Sequence, residues 1–158
     1  GISMIISKLA LTATEDEINA GLTAAFEKMA ETQGEAIKKI KEPRVLLENG
    51  ILRFKCKASM GVLPLPVEAQ IRLAPAMSGT ALAITLVKVS LAMMGGESAA
   101  KALMGQVATA VAGRPGLSVD GNTLMVSLSE LSALRGIQLG GTLKDVALVN
   151  GTLSLDFS

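Results

Sequence analysis

The chain has 158 residues, 49% of them hydrophobic, with a formal net charge of +1 and a mean hydropathy of +0.47. That length suits one domain, 1–158, with a sizeable core, and so small a charge gives no reason to expect a polyanionic partner. There is no His, Trp or Tyr and only one Cys, which excludes Ser–His and Cys–His nucleophile systems, His-based metal sites and an intrachain disulfide.

In chain order, Ile5, Leu9 and Leu11 alternate with Lys8, Ala10 and Thr12, which predicts a first strand. Thr14 follows with Glu17 three residues on, the spacing of a capping box. Ile18, Leu22, Ala25, Phe26 and Met29 then share one face of a helix that fades near Gln33 and Gly34. The acids Glu15, Asp16 and Glu17 read as complements to the dipole at its start, not as a catalytic cluster. A weaker helical stretch is expected through Ile37 and Ile40 to a stop at Pro43.

From Arg44 the period changes to two. Arg44–Glu48 and Ile51–Ala58 flank Asn49-Gly50, a strong hairpin signal. In the second arm Leu52, Phe54, Cys56 and Ala58 face one way, and Arg53, Lys55 and Lys57 the other. Gly61 to Pro66 reads as a loop, its prolines confining the strand's start to an edge or bulge. Val67, Ala69, Ile71 and Leu73 form the next half-buried strand, and Leu82, Ile84 and Leu86 the one after. The phase then shifts to Val87, Val89 and Leu91, which predicts a bulge or bend. Beyond Gly95-Gly96 a helix is expected over 97–112, with Leu103, Met104, Val107 and Val111 on its apolar face. Strands follow at Leu117–Val119, Thr123–Leu128, Thr142–Val149 and Thr152–Phe157, with one helical turn at Ser129–Leu134 capped by Ser129. A turn dipeptide followed by alternating apolar positions recurs at Asn49-Gly50, Asp120-Gly121 and Asn150-Gly151, which is repeated hairpin chemistry, not a tandem-repeat fold.

Charge is spread unevenly: −4 over 1–37, +5 over 38–57, and balanced over 58–158. The basic run Lys38 to Lys57 reads as a solvated strand face plus a helix end, with contact to anionic lipid headgroups as the functional alternative. Nucleic acid is not an expected partner, because the only rings, Phe26, Phe54 and Phe157, take inward positions. No Gly-rich phosphate loop, paired-carboxylate site or calcium loop is visible. Cys56 reads as a buried structural thiol. No apolar run reaches transmembrane length, since Lys88 breaks the stretch Ala81 to Met94. Gly1 without a leading Met reads as the start of a processed or trimmed chain, so the lack of a visible signal peptide says little about location. Of the eight Met, Met29 and Met104 lie on the two helix faces, and Met60, Met77, Met93 and Met94 at strand ends and turns. Met fills irregular gaps and suits surfaces that accept varied apolar ligands.

The order strand, capped amphipathic helix, four-strand meander, second helix and terminal strands resembles the bacterial tubular lipid-binding (TULIP) superfamily. Examples of that superfamily are small lipoproteins and membrane-anchored proteins of the YceB-like, YpmS-like and mycobacterial mannan-elongation types. The resemblance is carried by Leu9 to Ile18, followed by Leu22 and Phe26, and by the ending from Gly136-Ile137 through Leu143 to Leu155. It spans nearly the whole chain on motifs of low specificity. It implies an α+β fold in which a strongly curved antiparallel sheet wraps a long N-terminal helix, with an apolar groove for acyl chains. It also implies an extracytoplasmic location near a membrane.

The expectation is therefore non-enzymatic binding of a lipid or other long apolar ligand, with no metal and no cofactor. Periodicity places its lining at Leu22, Phe26, Met29, Leu82, Ile84, Leu86, Leu103, Met104 and Val107. Arg53, Lys55 and Lys57 would orient the protein on an anionic membrane surface. The alternative is a structural or interaction module of an envelope protein with a filled core and no ligand.

Overall fold

The computed structural model describes residues 4–6, 8–33, 39–59, 63–77, 79–91 and 96–158. The described elements are β1 (Met4–Ile6), β2 (Leu9–Thr14), α1 (Glu15–Gln33), β3 (Ile40–Glu48), β4 (Ile51–Ser59), β5 (Pro64–Pro75) and β6 (Ala81–Leu91). They continue with α2 (Gly96–Val111), β7 (Leu117–Asp120), β8 (Thr123–Ser127), α3 (Leu128–Ala133), β9 (Ile137–Leu139), β10 (Leu143–Val149) and β11 (Thr152–Phe157). The architecture is α+β and dominated by antiparallel strands, as the alternating patterns predict.

A six-stranded antiparallel sheet in the order β3-β4-β5-β6-β8-β7 forms the frame. Strict alternation gives this sheet two unlike faces. The register aligns Val45, Phe54, Ala69 and Val89 in one cross-strand row, and Leu52, Ile71 and Leu86 in another. These belong to the apolar face. Arg44, Lys55, Glu68 and Ser90 align in a row on the opposite, polar face. A second antiparallel sheet, β10-β11-β2, and the parallel pair β1-β9 complete the strands.

Both main helices and the smaller sheet lie against the apolar face, which divides its packing into three clusters. Ile18 and Leu22 of α1 join Val45, Leu47 and Leu148. Ala99, Leu103 and Met104 of α2 pack on Ala69, Leu86 and Val89. Leu82, Leu143 and Phe157 centre a third cluster, which β2, β10 and β11 enclose with Leu9, Val146 and Leu155. Phe54 touches the first two clusters and Leu73 the first and third.

The turn chemistry explains how the sheets meet. The Asn49-Gly50 and Asn150-Gly151 hairpins dock on each other, with the Gly50 amide donating to the Leu148 carbonyl at 3.1 Å and the Asn150 amide to Asn49 Oδ1 at 3.2 Å. The recurring dipeptide thus closes two hairpins and joins the sheets they belong to.

Four local expectations change. The stretch predicted as a helix up to Pro43 is, from Ile40, the start of β3, because Ile40 and Lys41 pair with Ala58 and Lys57 across a β-bulge. Ile37 lies outside the described residues, as do Met60, Met93 and Met94. The predicted loop up to Pro66 is already β5 from Pro64. There β6 offers no ladder partner, so the missing proline amides leave no hydrogen bond unmade. The cap of the short helix is Ser127, whose hydroxyl accepts from the Glu130 amide, in place of Ser129. The first strand expected through Ile5, Leu9 and Leu11 is two: β1 pairs in parallel with β9, a pairing with no local sequence signal, and β2 joins β11 in another sheet. The phase shift in β6, by contrast, is a real bulge: Gln70 pairs with Lys88 and Ile71 with Leu86, leaving Val87 unpaired and exposed.

Candidate functional site

The nine residues expected to line a groove are distributed over all three apolar clusters. Leu82 and Leu86 are buried, the first against Leu143 and Phe157 and the second against Ala69, Val89 and Ala99. Ile84 packs at the margin of the Leu82 cluster. Leu22, Leu103 and Met104 are half-buried, each at the margin of a cluster. Phe26, Met29 and Val107, in the C-terminal parts of α1 and α2, are also half-buried but belong to none of the three clusters. Phe54, Val67, Ile71 and Leu91, at the margin of the α2 cluster, are half-buried as well, as is Cys56. The apolar face is therefore buried at its cluster centres and half-buried between them.

The position of α1 follows from the edge of the sheet. Strand β3 is an outer strand, with main-chain groups of alternate residues facing outward. Asn19 meets these groups as a strand would, its Oδ1 accepting from the Val45 amide and its Nδ2 donating to the Val45 carbonyl at 2.9 Å. The Leu47 amide donates to Glu15 Oε2 at 3.0 Å. One of the three acids at the helix start thus satisfies a strand edge. Glu17 completes the capping box, accepting from the Thr14 amide at 3.1 Å while Thr14 Oγ1 accepts from its own amide.

The largest cleft described, about 770 Å³, opens at the end of the sheet where β3 to β6 run side by side. Glu42, Arg44, Lys55, Lys57, Glu68 and Ser90 line it, with Pro66, Val67, Leu91 and Cys56 supplying apolar surface. Of the three cations expected to meet a membrane, Arg53 has its charge met inside the protein. Its Nε lies 2.8 Å from Glu48 and its Nη1 2.7 Å from Glu68, and these two bonds raise its pKa above the usual arginine value. Lys57 reaches Glu42 at 3.1 Å. Lys55 lies in the cleft beside Arg44, and neither forms an ion pair among the described residues. Arg44, Pro66 and Ser90 become neighbours of Lys55 only through the register. The charge excess over 38–57 points to Arg44 alone, and nothing local in the sequence marks Pro66 or Ser90.

Chemically, these faces can bind by burial and by charge. Burial raises the pKa of the Cys56 thiol, which disfavours the nucleophilic thiolate. Among the described residues no three His, Cys, Asp or Glu come together as a metal site, and no helix is long and apolar enough to cross a membrane. Comparison with protein-family models, curated proteins and solved structures finds no match for this chain.

Proposed function

We propose that the protein binds a lipid or another long apolar molecule without transforming it, on the apolar face between α1 and α2. The observation that supports this reading is Phe54, a ring common to the clusters of both helices that is still only half-buried. An acyl chain along the seam would gain about 0.8 kcal/mol per methylene before the costs of association. Phe26, Met29, Leu103, Met104 and Val107 would flank it. Leu22 would mark one end, and Leu82, Ile84 and Leu86 would form the packed floor.

In this reading the sheet, bulged at Lys41–Arg44 and at Val87, would wrap α1 in the manner of the tubular lipid-binding superfamily. Such a protein would work outside the cytoplasm, beside an anionic membrane surface that Lys55 and Lys57 help to meet. The rival reading, an interaction module with a filled core, is favoured by the tight burial of Leu82, Leu86, Leu143 and Phe157.

Native mass spectrometry of protein purified from its own host, followed by organic extraction, separates the two. The expected result is a co-purifying lipid, together with saturable uptake of a fluorescent fatty acid by the delipidated protein. Recovery of no lipid and no uptake would remove the binding reading and leave the filled module.

A further inference from the structure

The cleft takes Arg44, Lys55 and Glu68 from the polar face of the sheet, and none of the nine residues expected to line the apolar seam lines it. Its charges are arranged against the ordinary logic of a β-sheet. Residues directly opposite on antiparallel strands stabilise the pair when their charges are opposite and destabilise it when they are alike. Here Arg44 stands opposite Lys55, and Lys41 opposite Lys57. Two consecutive described pairs between β3 and β4 are therefore cation against cation. They flank the bulge, where Glu42 adopts φ 53, a left-handed conformation that a residue with a Cβ seldom takes. That conformation accompanies the contact of Glu42 with Lys57, and Glu68 is already held by Arg53. Arg44 and Lys55 are left side by side and exposed in a cleft of about 770 Å³, neither in an ion pair among the described residues, with the Glu68 that stands opposite Lys55 turned to Arg53.

We propose that this cleft is a binding site for a phosphate monoester carried on an apolar body. The guanidinium of Arg44 can grip two phosphate oxygens at once, and Lys55 adds a second point charge. Ser90 closes the same cross-strand row with a hydroxyl. Pro66, Val67 and Leu91 offer apolar surface for the rest of the molecule. The volume lies in the range of small-molecule sites. A bound dianion turns the repulsion between Arg44 and Lys55 into shared attraction, so occupancy relieves a cost that the empty fold carries. Both a soluble phosphate monoester and a phosphate headgroup at a membrane present this chemistry.

The test uses the whole chain with two probes: decyl phosphate in solution below micelle formation, and phosphatidylcholine vesicles with and without phosphatidic acid. Calorimetry should show saturable binding of decyl phosphate or of the phosphatidic acid vesicles. Arg44→Gln and Lys55→Gln should each weaken it about tenfold. Lys144→Gln, an exposed charge on β10, should leave it unchanged. Binding to decyl phosphate points to a soluble ligand, and binding to the vesicles alone points to a headgroup. Binding of neither probe overturns the proposal, as does an equal loss in Lys144→Gln. Both cleft variants remove a repulsion, so they should melt at or above the wild-type temperature, and lost binding then cannot be ascribed to misfolding. Uptake of an uncharged fluorescent acyl ester by the wild-type protein reads the apolar seam without a phosphate, so failure at this cleft remains distinct from failure at the apolar seam.

Discussion

Thr14 and Glu17 fix the start of α1 with reciprocal hydrogen bonds, in which the Glu17 carboxylate accepts from both the amide and the hydroxyl of Thr14. Removing the hydroxyl in Thr14→Ala is expected to lower stability by about 1 kcal/mol in urea denaturation. The same bonds hold the Glu17 pKa below its ordinary value of 4.5, the backbone amide of Thr14 contributing most. A carboxylate with a depressed folded-state pKa stabilises the fold above its unfolded pKa, and that contribution is lost as pH falls through the folded pKa. The wild-type protein should therefore lose this increment on acidification below 4.5. Glu17→Gln should lack it at every pH. Parallel denaturant titrations of the two proteins over that acid range check the sign: curves that stay a constant distance apart would show that Glu17 contributes no pH-dependent stability.

At the scale of elements, the decisive contact is α1 against the open edge of β3. An unprotected outer strand is a template for pairing with another chain, and here Asn19 and Glu15 occupy three of its main-chain groups. Asn19→Ala should strip protection from the Val45 amide, leaving a donor without its partner at a cost of about 1–3 kcal/mol. By the alternation of the ladder, the Leu46 amide points to β4 and should keep its protection. Residue-resolved hydrogen exchange reads both amides, and equal acceleration at Val45 and Leu46 would mean that the whole hairpin loosens instead of its edge. This contact also shows what the sequence could reveal. Periodicity identified α1, the meander β3 to β6, α2 and the closing hairpin, because each is written in neighbouring residues. The capping box and the bulge at Val87 were legible for the same reason. Asn19 sat on a helix with no local mark of its task, since its partner is 26 positions away. The switch of Ile40–Pro43 from expected helix to strand has the same origin, because pairing with Lys57 and Ala58 outweighs a weak local preference. The site was legible by face and not by filling. Alternation put Leu82 and Leu86 on the apolar side. What seals Leu82 is Leu143 and Phe157, contributed by the far end of the chain.

Over the whole molecule, the apolar composition noted at the outset goes into a face more than into a sealed interior. Only ten hydrophobic residues count as buried among those described, although 49% of the chain is hydrophobic. Three clusters on one sheet face, bridged by half-buried Phe54 and Leu73, leave seams that water can reach. Filling a seam with a ligand should stabilise the folded state in proportion to occupancy. At a ligand concentration one hundred times Kd the gain is about 2.7 kcal/mol, which for a chain of this size moves Tm by about 5–10 °C. Oleate titrated against the delipidated protein in a thermal melt should reproduce that rise. Met104 offers the control, since it is half-buried at the margin of the α2 cluster and Gln matches its length while making the surface polar. With about 1 kcal/mol of apolar burial removed, Met104→Gln should bind about fivefold more weakly. At the same oleate concentration its Tm rise should then be smaller by about a third. An unchanged rise in Met104→Gln would place the ligand elsewhere. No rise in the wild-type protein would mean that the seams are simply the margins of a filled core, and that the open surface is available to a protein partner instead of a lipid.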